Sequence, residues 1–215
     1  MSNVSQFLTQ VSIWALPTIF AIVLHEVMHG VVANALGDDT AARAGRLTLN
    51  PISHIDPFGT LFLPAMLLFL NMPVFGFAKP VPVDFRRLRN PRRGMIAVAA
   101  AGPLTNLALA AASAWAMRVM MENLEAPWGP TIALPLVYMA RASVFINVVL
   151  GVFNLFPLLP LDGGRVAAGL MPLEMARNFA RLEPYGFPIL LLLLYTGWIS
   201  SVIDPIISTV TRILL

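Results

Sequence analysis

The stretch VSIWALPTIFAIVLHEVMHGVVANAL, residues 11–36, decides the fold. It is apolar enough and longer than the about 20 residues that a membrane-spanning helix requires. Yet it carries His25, Glu26 and His29. On a helix, positions four apart share a face, so both imidazoles can reach one metal ion. Glu26, between them, can then act as a base on metal-activated water. Ionisable groups inside a span are costly and mark function. The pattern predicts a centre for hydrolysis embedded in a membrane.

Composition agrees. Of the 215 residues 58% are hydrophobic and 12% charged, about half the charged fraction of a soluble domain. A mean hydropathy of +0.77 leaves apolar surface that must face lipid, and one polytopic membrane domain, 1–215, is expected. With no cysteine, disulfides, thiolate catalysis and Cys-type zinc sites are excluded. A pI near 10.0 resembles a nucleic-acid footprint, but the basic residues flank apolar spans. Topology explains them, and no nucleic-acid partner is expected. Residues 1–10 lack the positive region of a cleavable signal peptide.

Outward from the opening stretch, the chain reads as an all-α polytopic protein. About four spanning helices are expected, at roughly 11–36, 95–121, 131–159 and 185–201. Residues 202–215 extend the last helix, kink at Pro205 or lie along the interface. The apolar stretch 58–78 is interrupted by Pro64, Asn71, Pro73 and Gly76, which leaves no clean span. Between the first span and this stretch, 43–49 has the character of a short β segment. There it could clamp an unwound substrate by strand addition.

Charge sets the topology. Arg43 and Arg46 precede 58–78, and Lys79, Arg86, Arg87, Arg89, Arg92 and Arg93 follow it. Both loops are cytoplasmic by the positive-inside rule, so an even number of crossings separates them and 58–78 is a re-entrant or interfacial hairpin. The first span then runs inward, the second outward and the third inward, placing Arg165, Arg177 and Arg181 inside. Eleven of the fourteen basic residues fall on that side, and His25, His29 and Asp162 come to similar depth near it.

A hydrolytic zinc has three protein ligands and one open position. His25 and His29 supply two. For the third, Asp162 lies in Pro160-Leu161-Asp162-Gly163-Gly164, whose glycines permit a sharp turn, although a carboxylate there could equally cap the helix that follows. His54 is the only other histidine. It could orient substrate, stabilise an oxyanion, or bond backbone in a turn; as a ligand it would fill the open position. Asp38, Asp39, Asp56 and Asp84 read as solvated loop residues. Asn106, with Gly102 and Pro103, reads as close helix packing, and the arginines at 86–93 as topology determinants with affinity for anionic lipid.

His25-Glu26-Val27-Met28-His29, with Asn154-x-x-Pro157 and Asp162-Gly163 far downstream, resembles the site-2 protease family of intramembrane zinc metalloproteases. Ala101-Gly102-Pro103-Leu104-Thr105-Asn106 resembles it too. The stretch from Gly45-Arg46 through Asn50-Pro51, His54, Asp56-Pro57 and Gly59-Thr60 is similar to a compact bacterial and archaeal branch. The resemblance implies one zinc ion on His25, His29 and Asp162, Glu26 as catalytic base, and Asn154 as a donor to the reacting carbonyl. It implies a membrane-protein or peptide substrate, the lipid bilayer as environment, and the inner membrane of a prokaryotic cell with the site toward the cytoplasm. The short link between the second and third spans leaves no room for a PDZ insert, and control by a CBS domain is not expected.

Asn154 could instead be interhelical glue. Two other functions compete: a non-proteolytic membrane protein that binds or transports a divalent metal, and a scaffold without activity. A transporter favours ligands reachable from both sides and paired repeats, which the sequence lacks. Glu26 argues against the scaffold, because ligation alone does not need it.

Overall fold

The computed structural model describes residues 3–70 and 76–215, and all regular structure among them is helical. In chain order the helices are α1 (Asn3–Ala35), α2 (Thr40–Arg43), α3 (Leu63–Phe69), α4 (Pro91–Met121), α5 (Leu134–Asn154), α6 (Asp162–Leu170), α7 (Leu173–Ala180), α8 (Glu183–Tyr195) and α9 (Trp198–Leu214). Three stretches are long and apolar enough to cross a bilayer: Leu8–Ala35, Pro91–Met121 and Gly129–Asn154. A fourth crossing is available if α8 and α9, bent by 75° to one another, count as one. The chain is a multi-pass membrane protein.

Helix α4 is the hub, packed against α1, α5 and α6, while α5 also meets α1 and α9. Its buried face is made of small residues, among them Gly94, Ala99, Ala101, Gly102, Ala110 and Ala114, which let neighbouring helices approach closely. Ala110 and Ala114 form a core cluster with Val144 and Val148 of α5, closed over by Ile207 and Val210 of α9. Large apolar side chains point outward instead, as with Trp115 at 68% exposure and Tyr195 at 70%. Such a surface suits lipid rather than water.

The expected short β segment is not formed. Arg43 ends α2, and 46–50 is extended chain outside any sheet. Its polar groups are used locally: Thr48 O meets His54 Nε2, Thr48 Oγ1 accepts from Asn50 N, and Asn50 Oδ1 accepts from Ile52 N. Side-chain bonds of this kind compete with ladder pairing.

Two span boundaries also shift. The third span ends at Asn154 rather than near 159, because 155–161 is a series of tight turns. The last expected span, 185–201, straddles the bend. Gly197 there has a left-handed φ of 72°, a conformation glycine adopts without steric cost. Helix α9 continues past Pro205 to Leu214.

The described parts of stretch 58–78, before and after 71–75, meet one another. Pro57–Phe69 is a continuous short apolar helical run, about 20 Å long and too short to span. Residues 71–75 lie outside the described residues. The returning chain closes on the start: Phe77 N donates to Gly59 O at 3.1 Å, Thr60 Oγ1 to Phe77 O at 3.0 Å, and Lys79 N to His54 O at 2.9 Å. The two ends of the segment therefore lie side by side.

Candidate metal centre

Helix α1 puts His25 and His29 on one face, toward α4. The third group arrives on α6, and the sequence around it explains how. Gly163 and Gly164 sit where a Cβ would strike the backbone of 155–159; at Gly164 it would lie 2.5 Å from Leu159 N. Only glycine lets the first turn of α6 tuck under that loop. At the other end of α6, Arg92 Nε donates to Gly169 O at 2.8 Å and its guanidinium also reaches Leu170 O and Met171 O. Asp162 is thus presented by a helix fastened at both ends.

Asp162 Oδ2 lies 3.1 Å from His25 Nε2 and 3.2 Å from His29 Nε2. Four-coordinate zinc with bonds near 2.0 Å has ligand-to-ligand edges of about 3.3 Å. The other ring nitrogens are engaged: His25 Nδ1 with Asn106 Oδ1 at 2.6 Å, and His29 Nδ1 with Val98 O at 2.7 Å. Both partners accept, so each neutral ring carries its proton on Nδ1 and turns the Nε2 lone pair inward. Asp162 Oδ2 is buried without a hydrogen-bond donor. Gly102 of α4 faces this point, and a Cβ there would collide with both Nε2 atoms. An orphaned carboxylate oxygen, two inward lone pairs and a gap kept by glycine together fit one divalent cation, and the imidazole–carboxylate donor set suits zinc.

Glu26 is half-buried, and its Oε2 accepts from Val81 N at 3.0 Å. Val81 belongs to the extended return of the hairpin, Lys79-Pro80-Val81-Pro82-Val83, which Arg46 also holds through Lys79 O at 2.9 Å. Its side chain packs over Gly30 of α1. Prolines at 80 and 82 lack an N–H, so Val81 supplies the one backbone donor between them.

The remaining expected residues have hydrogen-bond partners outside this group. His54 is buried, with Nε2 on Thr48 O at 2.9 Å and Nδ1 unpartnered. Its contacts are those of a loop brace, because its carbonyl also receives Lys79 N. Asn154 Nδ2 donates to Leu150 O at 3.0 Å, one turn back on its own helix. Sequence reasoning read Asn106 as packing and passed over Val81 and Asn147. A signal existed for the asparagines: each is a carboxamide inside an apolar span, where it must find partners.

Fold and site together define the class: a helical, multi-pass membrane protein with a His-His-Asp group inside its bundle that could hold a metal ion. The model of peptidase family M50 matches residues 119–195, the part that includes Asp162. The protein YwhC of Bacillus subtilis, named as a candidate zinc metalloprotease, is 38% identical over 194 residues, covering 88% of this chain and 83% of that protein. Rip2 of Mycolicibacterium smegmatis, named likewise, is 30% identical over 197 residues, or 91% and 70% of the two chains. Rip2 of Mycobacterium tuberculosis H37Rv is 28% identical over 188 residues, 85% and 68% of the two. No solved structure matches. The chain belongs to peptidase family M50, the site-2 protease family of metalloproteases.

Proposed function

We propose that this chain is a zinc-dependent endopeptidase that hydrolyses peptide bonds in or near the transmembrane segments of membrane proteins. The observation that carries the reading is the convergence of His25, His29 and Asp162, next to Glu26, within the bundle. His25, His29 and Asp162 would hold the ion. Bound there, zinc supplies Lewis-acid polarisation of the scissile carbonyl and lowers the pKa of water.

The chain's own residues do the rest. Glu26 takes the proton from the attacking water and passes it to the leaving amine. The amide of Val81 holds the Glu26 carboxylate in place. Asn154 spends one amide hydrogen on Leu150 O and keeps the second for the developing oxyanion. His54 braces the loop that leads to Lys79 and Val81. A helical substrate hides its peptide bonds, so it must unwind before Glu26 can act.

The whole chain, 1–215, serves as one catalytic domain with four crossings, the fourth through α8 and α9. The 57–79 hairpin enters the membrane from the cytoplasmic side without crossing, as its adjoining ends favour. The basic loops on either side of it favour a centre that faces the cytoplasm of a prokaryotic inner membrane. The test is cleavage of a transmembrane reporter in proteoliposomes. Loss of cleavage on zinc chelation and recovery on zinc return is the expected result. Cleavage indifferent to the chelator would remove the proposal, and zinc uptake into the vesicles without cleavage would favour transport.

A further inference from the structure

Two asparagines are sealed into the crossing of α4 and α5: Asn106 is 0% exposed and Asn147 is 1% exposed. Asn106 Nδ2 donates to Asn147 Oδ1 at 2.8 Å and to Ala21 O at 3.1 Å. Asn147 Nδ2 donates to Ser143 O at 2.9 Å and to Ser143 Oγ at 3.2 Å. Ser143 Oγ in turn lies 2.8 Å from Ser113 Oγ. A line of hydrogen bonds therefore runs from His25 through α4 and into α5.

This line has a direction. Ala21 O and Ser143 O are carbonyls and can only accept, so both carboxamides must turn their N–H groups toward them. Each Oδ1 is then forced the other way, and the last of them, Asn106 Oδ1, meets His25 Nδ1. An acceptor there keeps the imidazole proton on Nδ1 and leaves Nε2 free to bind metal. His29 obtains the same result directly from Val98 O. His25 has no backbone carbonyl in that place, and the asparagine relay substitutes for one. Were Asn106 reversed, its NH2 would face His25 Nδ1, and the ring proton would move to Nε2, where the lone pair is required.

We infer that Asn147 is a positioning residue of the metal centre: it fixes the orientation of Asn106 and, through it, the tautomer of His25 that binds zinc. The inference rests on the zinc reading proposed above. Ala21 O opposes reversal of Asn106 by itself, and Asn147 adds a second oxygen that a reversed Asn106 would face. Asn147 cannot readily turn to accommodate the reversal, because its own oxygen would then face Ser143 O. The bland competitor is that the pair merely glues α4 to α5, in which case zinc is indifferent to it except through folding.

The experiment measures zinc affinity of the full chain in detergent, by competition with a chromophoric chelator. Four chains are compared with wild type: Asn147→Leu, Asn147→Asp, Asn106→Asp and the double variant Asn106→Asp with Asn147→Leu. Asn147→Leu should weaken zinc on the order of tenfold, the low end of what loss of an outer-shell partner costs. In Asn147→Asp a neutral carboxyl keeps an acceptor toward Asn106 and gives an O–H to Ser143, so affinity should stay close to wild type.

In Asn106→Asp the two side-chain oxygens are equivalent, and whichever of them faces Ala21 O carries the proton, so the oxygen facing His25 is an acceptor either way round. Orientation no longer matters, and adding Asn147→Leu should leave affinity nearly unchanged. Wild-type affinity in Asn147→Leu would overturn the inference. So would an equal loss in both backgrounds, which is the behaviour of a packing defect. Absence of zinc from the wild type would remove the metal reading first, and this inference with it. If Asn147→Leu does not fold, Asn147→Ala in the same two backgrounds decides by the same comparison.

Discussion

The two sides of Glu26 are built on opposite plans. Toward the bundle, the groups that back the two histidines are buried and hydrogen-bonded: Asn106 and Asn147 are sealed from solvent, and each imidazole has its outer nitrogen tied down. Toward the hairpin, the chain is apolar and open, with Leu61 62% and Phe69 85% exposed and few backbone bonds closing the loop. In a dry interior an unpaired polar group is expensive, so the bundle side has one arrangement and holds it. The hairpin side is held by a few tethers, of which Val81 N to Glu26 reaches the candidate site. Metal binding should therefore depend on the bundle and turnover on both, and the two can be separated by substitution.

The largest expected effect is on the bundle side. Asp162→Ala removes the oxygen shared by both Nε2 atoms and should abolish stoichiometric zinc, measured by elemental analysis of detergent-purified protein. Full zinc in that variant would show that the third ligand lies elsewhere. Next comes Glu26→Gln. It should hold zinc like wild type yet cleave a transmembrane reporter roughly 10²- to 10⁴-fold more slowly, the usual contribution of a general base. Retained turnover would take the base role from Glu26.

On the hairpin side the sharpest variant is Val81→Pro. A residue before proline is already confined to extended backbone, and Val81 precedes Pro82, so the substitution deletes the N–H with little change of path. Zinc content should be unchanged. Cleavage should fall by about tenfold, the scale of one hydrogen bond to a charged group, chiefly in kcat rather than KM. Val81→Ala, which keeps the N–H, should cleave far better than Val81→Pro. If both variants bound less zinc, the two sides would not be separable as argued.

How much of this was legible in the sequence follows from the range of each interaction. His25, Glu26 and His29 declare themselves because helical periodicity alone places them, and Asp162 because a glycine pair signals the turn that presents it. Three of the expected spans match stretches that hydropathy marks out, whereas the reading of 58–78 as a hairpin rests on charge at both its flanks. What escaped depends on pairing distant elements: Val81 with Glu26 is 55 residues away, and Asn106 with Asn147 is 41. No local pattern encodes those partners. The 43–49 segment has strand-like composition, yet its polar groups are taken by side chains of the next turn. The bend at Gly197 leaves no trace in hydropathy, since both arms are apolar.

The smallest expected effect lies where the two sides are joined. Asp38, just beyond α1, is fully buried; its carboxylate accepts from Thr40 N at 3.1 Å, from the Thr40 hydroxyl, and from Asp84 N at 2.7 Å. The last of these fastens the end of the hairpin's extended return to the end of α1. Burial pushes the Asp38 carboxyl up, but the Thr40 hydroxyl and the Asp84 and Thr40 amides outweigh it, and the group sits below the ordinary carboxylate value. A carboxyl depressed in the folded state stabilises that state above its unfolded pKa and loses this contribution as pH falls through the folded one. Asp38→Asn should therefore lower the Tm modestly at neutral pH, and the gap from wild type should close as pH drops below about 4. It should also reduce cleavage slightly while sparing zinc, because only the extended segment that carries Val81 is loosened. A gap in Tm that stayed constant down to low pH would mean that the charge on Asp38 is not what fastens the two sides together.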